Sequence, residues 1–260
     1  MIDSHCHIDF DEFAQHLPEV LQRAVAVGVD RLIIPAVHPD TWPRVIAHVD
    51  ACRQWGVKAY YAIGLHPWWA DKYPLDQLPT VLNEAIPGAV AVGECGLDAL
   101  RDIPMEWQVA VLQCHIEAAN HFNLPLILHC VKAHDTLIKV LKATPLKAGG
   151  VVHGFAGSLE IATQYLGLGL KIGVGGMVTR PHASRAQRAF SELPLSAMIL
   201  ETDAPAMPLW NDQLQQLETT NEPANVARIA HALAELRGVN IDDIVSTCQR
   251  NTEALFAQMR

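Results

Sequence analysis

The chain has 260 residues, half of them apolar and 18% charged, a balance that supports a sizeable core and excludes intrinsic disorder. Its formal charge of −9 leaves no overall basic footprint for nucleic acid, so a phosphate-bearing partner needs cations placed locally. Six cysteines, Cys6, Cys52, Cys95, Cys114, Cys130 and Cys248, show neither a CxxC pair nor a framework spacing, which argues against a zinc ribbon or disulfide scaffold.

A reducing cytoplasm is the expected setting, since Met1 to His7 carries no signal-peptide pattern. No run approaches the ~18 uninterrupted apolar residues of a membrane span.

In chain order, short β-rich runs alternate with longer amphipathic ones. Strands are predicted at Met1–His5, Arg31–Pro35, Ala59–Leu65, Ala89–Glu94, Pro125–His129, Gly150–His153, Leu170–Val174 and Met198–Glu201. Helical patterns fill Pro18–Gly28, Thr41–Trp55, Glu106–Phe122, Asp135–Lys142, Leu159–Leu166 and Ser184–Leu193, and two more, Pro223–Leu236 and Ile241–Gln258, end the chain. In Glu106–Phe122, Trp107, Val111, Cys114 and Ala118 recur at the spacing of one helix face. Strand ends recur every 22 to 35 residues, about one strand-plus-helix unit each. Eight units predict a (β/α)₈ barrel, a distorted TIM barrel of the metal-dependent hydrolase type, as one domain over residues 1–260. An open doubly wound sheet is less favoured, because no G-x-G-x-x-G follows the first strand and Gly173, Gly175 and Gly176 come late without that spacing.

The chemistry-bearing residues cluster at strand ends. The first strand closes on His5-Cys6-His7, and extended alternation aims both imidazoles one way and Cys6 the other. Glu94 follows an apolar strand and is flanked by Gly93 and Gly96, where a buried carboxylate is costly unless paired or metal-bound. Asp98 suits a cap or a partner to a ligand. The fifth and sixth strands each end an apolar run in a single histidine, His129 and His153. Alternation in the eighth strand puts Glu201 and Asp203 on one side, with Asp203 at the rim as ligand or general base.

His5, His7, Glu94, His129, His153 and Asp203 thus all fall on the face where barrel active sites are built. Their nitrogen and carboxylate donors suit Zn²⁺, Mn²⁺ or Fe²⁺, and Mg²⁺ where water fills the remaining positions. Six donors exceed one tetrahedral ion, so two divalent ions bridged by Glu94 are expected.

At these residues the sequence resembles the TatD family of metal-dependent deoxyribonucleases, most closely its bacterial YjjV-like branch. The resemblance is carried by Ile2-Asp3-Ser4-His5-Cys6-His7, Gly64-Leu65-His66-Pro67, Val92-Gly93-Glu94-Cys95-Gly96-Leu97-Asp98, Leu124 to His129, Val151 to Ser158, Lys171 to Gly176 and Glu201 to Pro205. It implies a distorted TIM barrel and hydrolysis of DNA phosphodiesters. It also implies that His5, His7 and Asp203 hold one metal, that Glu94 bridges, and that His129 and His153 hold the second. His66 corresponds to the family's extra histidine facing substrate, so Asp203, His66 and Glu94 are the expected catalytic residues.

Two positions depart from the family pattern. After the fifth-strand histidine the family usually has Ser-Arg or Cys-Arg, whereas here Cys130 is followed by Val131 and Lys132, whose point charge does not reproduce bidentate guanidinium contact. Cys95 stands where Ile is usual, an exchange of buried small hydrophobes. Cys6, Cys95 and Cys130 each follow a proposed ligand and are expected to pack between barrel and helices.

The missing arginine keeps a second hydrolase reading open, an amidohydrolase or deacylase acting on a small ester or amide. A third reading, a non-catalytic metal- or nucleic-acid-binding protein, is opposed by the charge and by the lack of a basic, aromatic-interleaved stripe. Arg180, Arg185 and Arg188 cluster after the seventh strand, either against a phosphate backbone or on a solvated helix face. Trp68-Trp69 either stacks on a base or packs as a lid on the rim.

Overall fold

A computed structural model of the chain describes residues 1–259. Its main strands are β1 (Ile2–Asp3), β2 (Arg31–Pro35), β3 (Lys58–Ile63), β4 (Ala91–Asp98), β5 (Leu126–Val131), β6 (Gly150–Val152), β7 (Leu170–Val174) and β8 (Met198–Leu200). Helices α1 (Asp11–Ala14) and α2 (Leu17–Ala26) follow β1, α3 (Trp42–Arg53) follows β2, α4 (Leu78–Ala85) follows β3 and α5 (Met105–Phe122) follows β4. Then come α6 (His134–Ala143), α7 (Leu159–Gly167), α8 (Ser184–Glu192), a small hairpin of β9 (Trp210–Asn211) and β10 (Gln216–Leu217), α9 (Val226–Arg237) and α10 (Ile241–Leu255).

The eight main strands pair in parallel in chain order, β1 to β8. The first and last meet beyond their regular segments: Cys6 bridges Ala204 in parallel, the Asp203 N–H donates to the His5 carbonyl at 2.8 Å, and the His7 N–H donates to the Ala204 carbonyl at 2.8 Å. These bonds close the sheet into the expected barrel and tie the two ends that carry His5, His7 and Asp203. The regular part of β1 is shorter than predicted, because the chain bends at Ser4 before the bridge.

Alternation along the strands sorts two apolar layers. Ile2, Ile33, Ala62, Ala91, Ile127, Val151 and Ile199 come from seven different strands and form a buried cluster with Phe256 and Met259 from the C-terminal end. Leu32, Ile34, Ile63, Val92, Cys95, Leu128 and Ile172 belong to the larger layer between strands and helices. Each aliphatic side chain buried this way contributes about 1.5–3 kcal/mol relative to exposure. Cys6 and Cys95 lie in that outer layer, and Cys130 packs against it.

The buried face of α5 is displaced from the one predicted. Val111 and Ala118 of the predicted face are buried, together with Gln108, Leu112, His115, Ile116 and Ala119, whereas Trp107 is 39% exposed and Cys114 only half-buried. The correction has a polar cause. The Gln108 amide exchanges hydrogen bonds with the Asp98 main chain (2.7 and 3.0 Å), and His115 Nε2 accepts the Leu65 N–H at 2.9 Å. Two polar side chains therefore sit on the barrel-facing stripe. Among the described residues, no helix is long and apolar enough to cross a membrane.

Candidate metal centre

Six of the strand-borne side chains singled out above converge at one mouth of the barrel, and His66 joins them. His129 and His153 follow the inward-facing Ile127 and Val151 by two residues, so simple alternation aims them inward. Glu94 arrives differently. Counting in twos from Ala91 points Gly93 and Cys95 inward, but the β4–β5 register shifts between Val92 and Cys95. That bulge turns Glu94 into the barrel and Cys95 into the outer layer. Gly93 and Gly96, at φ 143° and 145°, make it possible: a Cβ on Gly96 would lie 2.0 Å from the His129 carbonyl oxygen, and one on Gly93 2.6 Å from that of Ile127.

The two oxygens of Glu94 face different groups of donors. Oε2 lies 3.1 Å from His5 Nε2 and 3.3 Å from His7 Nε2, which are 3.2 Å apart. Asp203 Oδ1 completes this group at 3.3 Å from His5 Nε2 and 3.6 Å from His7 Nε2. Oε1 lies 2.7 Å from His153 Nε2, 3.2 Å from His129 Nδ1 and 3.0 Å from His66 Nε2, with the His129 and His153 nitrogens 3.3 Å apart. Ligand atoms about 2.1 Å from a tetrahedral ion stand about 3.4 Å from one another. The edges of the His5, His7 and Asp203 group, 3.1 to 3.6 Å, match that spacing, whereas in the second group the Glu94–His153 edge is a shorter 2.7 Å. These are buried His, Glu and Asp clusters of the kind that hold divalent cations.

The profile of the family described as TatD related DNase matches residues 2–257. The chain belongs to the TatD family. It is 41% identical over 259 residues to the uncharacterized metal-dependent hydrolase YjjV of Escherichia coli (strain K12), covering 98% of this chain and 97% of YjjV. The crystal structure of the Escherichia coli YjjV, a TatD homolog, superposes with a TM-score of 0.90 at 40% identity, covering 99% of this chain and 98% of that one. A relative from Erwinia billingiae named 3'-5' ssDNA/RNA exonuclease TatD is 31% identical over 260 residues, 98% of each chain. This TatD-family chain is accordingly a metal-dependent hydrolase.

In this TatD chain His66, which shares a depressed pKa with His5, differs from the other pocket imidazoles in accepting a main-chain N–H. Its Nδ1 accepts the Trp68 N–H at 3.2 Å, and burial lowers its pKa to about 4 although Glu94 opposes the shift. A neutral ring whose Nδ1 accepts carries its proton on Nε2, which makes His66 a hydrogen-bond donor into the pocket and leaves no Nε2 lone pair for a metal. Burial would push the Glu94 carboxyl up, but His153, His66, His5 and His129 together hold it well below the usual range. Glu94 in turn outweighs burial at His153 and raises it to about 10. A metal on His153 must displace that proton. Metal affinity is therefore expected to rise with pH from neutrality toward about 10, with proton release that titration calorimetry in two buffers of different ionisation enthalpy measures directly.

Glu201 shares the inward side with Asp203 but stays outside both donor groups. Its Oε1 accepts the Gly154 N–H at 2.6 Å, and it fills space that a Cβ on Gly173 would occupy, 2.3 Å from Oε2. Burial raises its carboxyl to about 8. Asp203 stands in left-handed backbone at φ 57°, and burial raises its pKa against the pull of His153 and His7. Arg188 pairs with Glu192 and Glu160 on the helix surface, matching the solvated-face reading for that residue, whereas Arg180 lies before the helix, half-buried, and donates to the Pro208 carbonyl.

Asp98 takes the partner role and caps no helix, its other oxygen bonding within a turn. Its Oδ1 accepts the Leu100 N–H at 2.9 Å, while Oδ2 lies 3.3 Å from His129 Nε2 and accepts the Trp68 indole N–H at 2.7 Å. These bonds hold its carboxyl well below the ordinary range despite burial. They also fix His129 with Nδ1 toward Glu94. A carboxylate behind a ligating imidazole commonly contributes 10–100-fold in metal affinity. Asp98→Asn is expected to weaken metal binding by about that factor, read by competition with a chelating dye, while the barrel stays folded.

His115 was not singled out from sequence and touches no donor. By accepting the Leu65 N–H and bonding the Val111 carbonyl through Nδ1 at 2.7 Å, it anchors the segment that presents His66. Its signal is a histidine on the inner stripe of an amphipathic helix, where an unpaired imidazole would be costly.

Proposed function

We propose that the chain hydrolyses phosphodiester bonds of single-stranded nucleic acid, DNA foremost, at a pair of divalent ions, Zn, Mn or Mg. The observation that carries this reading is the split of Glu94, one oxygen toward the His5, His7 and Asp203 group and the other toward His129 and His153. His5, His7 and Asp203 would hold one ion, His129 and His153 the other, and Glu94 would bridge. The family description and the exonuclease name of the Erwinia billingiae relative support the substrate class.

Bound ions of this kind supply charge neutralisation at the phosphoryl oxygens and acidify water. The chain does the rest. Asp203 takes the proton of the attacking water as general base. The new bond forms between water oxygen and phosphorus, the ester bond to the leaving sugar oxygen breaks, and His66 Nε2–H donates to a non-bridging or leaving oxygen. Phe10, Trp68 and Trp69 line the same pocket and restrict water.

A second reading, hydrolysis of a small ester or amide, is favoured by one observation: Lys132 is exposed and outside the pocket lining, so the segment after His129 brings no cation to the site. Incubation with single-stranded DNA and Mg²⁺ or Mn²⁺, beside a panel of amides and lactones, separates the two. DNA cleavage lost in Glu94→Gln supports the phosphodiesterase. Equal cleavage by both proteins, or turnover confined to the amide and lactone panel, rejects it.

A further inference from the structure

We propose that Arg101, stacked on Trp68 at the mouth of the metal pocket, forms a subsite for a phosphate of the bound strand next to the one being cut. The inference rests on the phosphodiesterase reading and adds to it the cation which that site otherwise lacks.

Three observations place it. The Arg101 guanidinium carbon sits 3.6 Å over the Trp68 ring centroid, and Trp68 lines the pocket that contains Glu94, His129 and Asp203. The Trp68 ring is itself pinned, its indole N–H on Asp98 and its centroid 5.1 Å from that of His66. The arginine is therefore held on a pinned platform at the pocket's edge, its Nε 3.9 Å from the Asp98 oxygen that itself lies 3.3 Å from His129 Nε2. A guanidinium over an indole face is a favourable cation–π pair that leaves the in-plane N–H donors free.

Those donors are unspent. Among the described residues no hydrogen bond from the Arg101 side chain is made, and its nearest carboxylate contact is Nε to Asp98 Oδ2 at 3.9 Å. That oxygen is already committed to Trp68 and His129. The side chain is 43% exposed, so a strand reaches it without rearrangement. By contrast Arg23, Arg31, Arg188 and Arg228 donate to glutamates of their own chain. In a chain of net charge −9, an arginine fixed at the pocket edge with free donors is the local cation that a polyanion requires. With one face under Arg101, Trp68 is a support for the cation in preference to a base platform.

The test is binding of a phosphorothioate-linked tetrathymidylate, slow to be cut, to the metal-loaded protein across a range of salt. Arg101→Ala should weaken binding about ten-fold, the scale of one charge-assisted contact, and lower the slope of log affinity against log salt by about 0.7, the counterion contribution of one single-strand phosphate. Arg101→Lys should keep the slope and recover only part of the affinity, since the charge stays and the planar fork is lost. Neither side chain lines the pocket, but Lys132, unlike Arg101, stacks on none of its aromatics, so Lys132→Ala removes an equal charge and should leave both unchanged. Unaltered affinity and slope in Arg101→Ala, or an equal change in Lys132→Ala, overturns the subsite. A wild-type protein that cuts the unmodified strand while Arg101→Ala binds like wild type sinks the subsite alone. One that neither binds nor cuts sinks the phosphodiesterase reading with it.

Discussion

Glu94→Gln should lower turnover of a single-stranded oligonucleotide by about three orders of magnitude, near 4 kcal/mol of transition-state stabilisation. The amide keeps the shape of the side chain and the bulge that aims it. It removes the charge that faces five imidazoles, from His153 Nε2 at 2.7 Å to His7 Nε2 at 3.3 Å. One of its two terminal atoms also becomes a donor and turns its hydrogens toward ring nitrogens that need acceptors or a cation. Bound metal per chain should therefore fall together with activity, and elemental analysis after gel filtration reads that fall. Loss of activity with full metal content would assign Glu94 to proton transfer instead of bridging.

Asp203→Asn should cost about 10³-fold in kcat, within the range expected for loss of a general base. Asn is the informative replacement because the residue sits at φ 57°, where Asn is among the few side chains tolerated. The N–H to the His5 carbonyl and the closure of the barrel should survive. The His129 and His153 side should still bind its ion, since His5 and His7 are the imidazoles whose nitrogens come within ion-pair distance of Asp203. Steady-state kinetics with metal analysis checks both halves. A variant that keeps more than a tenth of wild-type turnover would leave Asp203 as ligand only.

The barrel was legible in the sequence because parallel strands buried on both faces read as short apolar runs, and each chemistry-bearing residue interrupts its run at the same end. His129 and His153 followed from alternation alone. Glu94 did not, since counting in twos from Ala91 selects Cys95; only the flanking Gly93 and Gly96 hinted at the bulge that reverses the order. The inner face of α5 was misplaced because Gln108 and His115 read as polar, yet each is buried against a main-chain partner on β4 or after β3. Helix α4 went unread because Pro79 near its start resembles a break, although the first turn is where proline is tolerated. The chain from Arg101 through Trp68 and Asp98 to His129 joins three strand ends and has no counterpart in local spacing.

The proposed chemistry requires two cations that share the Glu94 carboxylate. Anomalous diffraction from crystals loaded with manganese locates them. Two peaks about 3.5–4 Å apart, one beside His5 and His7 and the other beside His129 and His153, with Glu94 between, is the expected result. A lone peak, or metal bound away from Glu94, would contradict it.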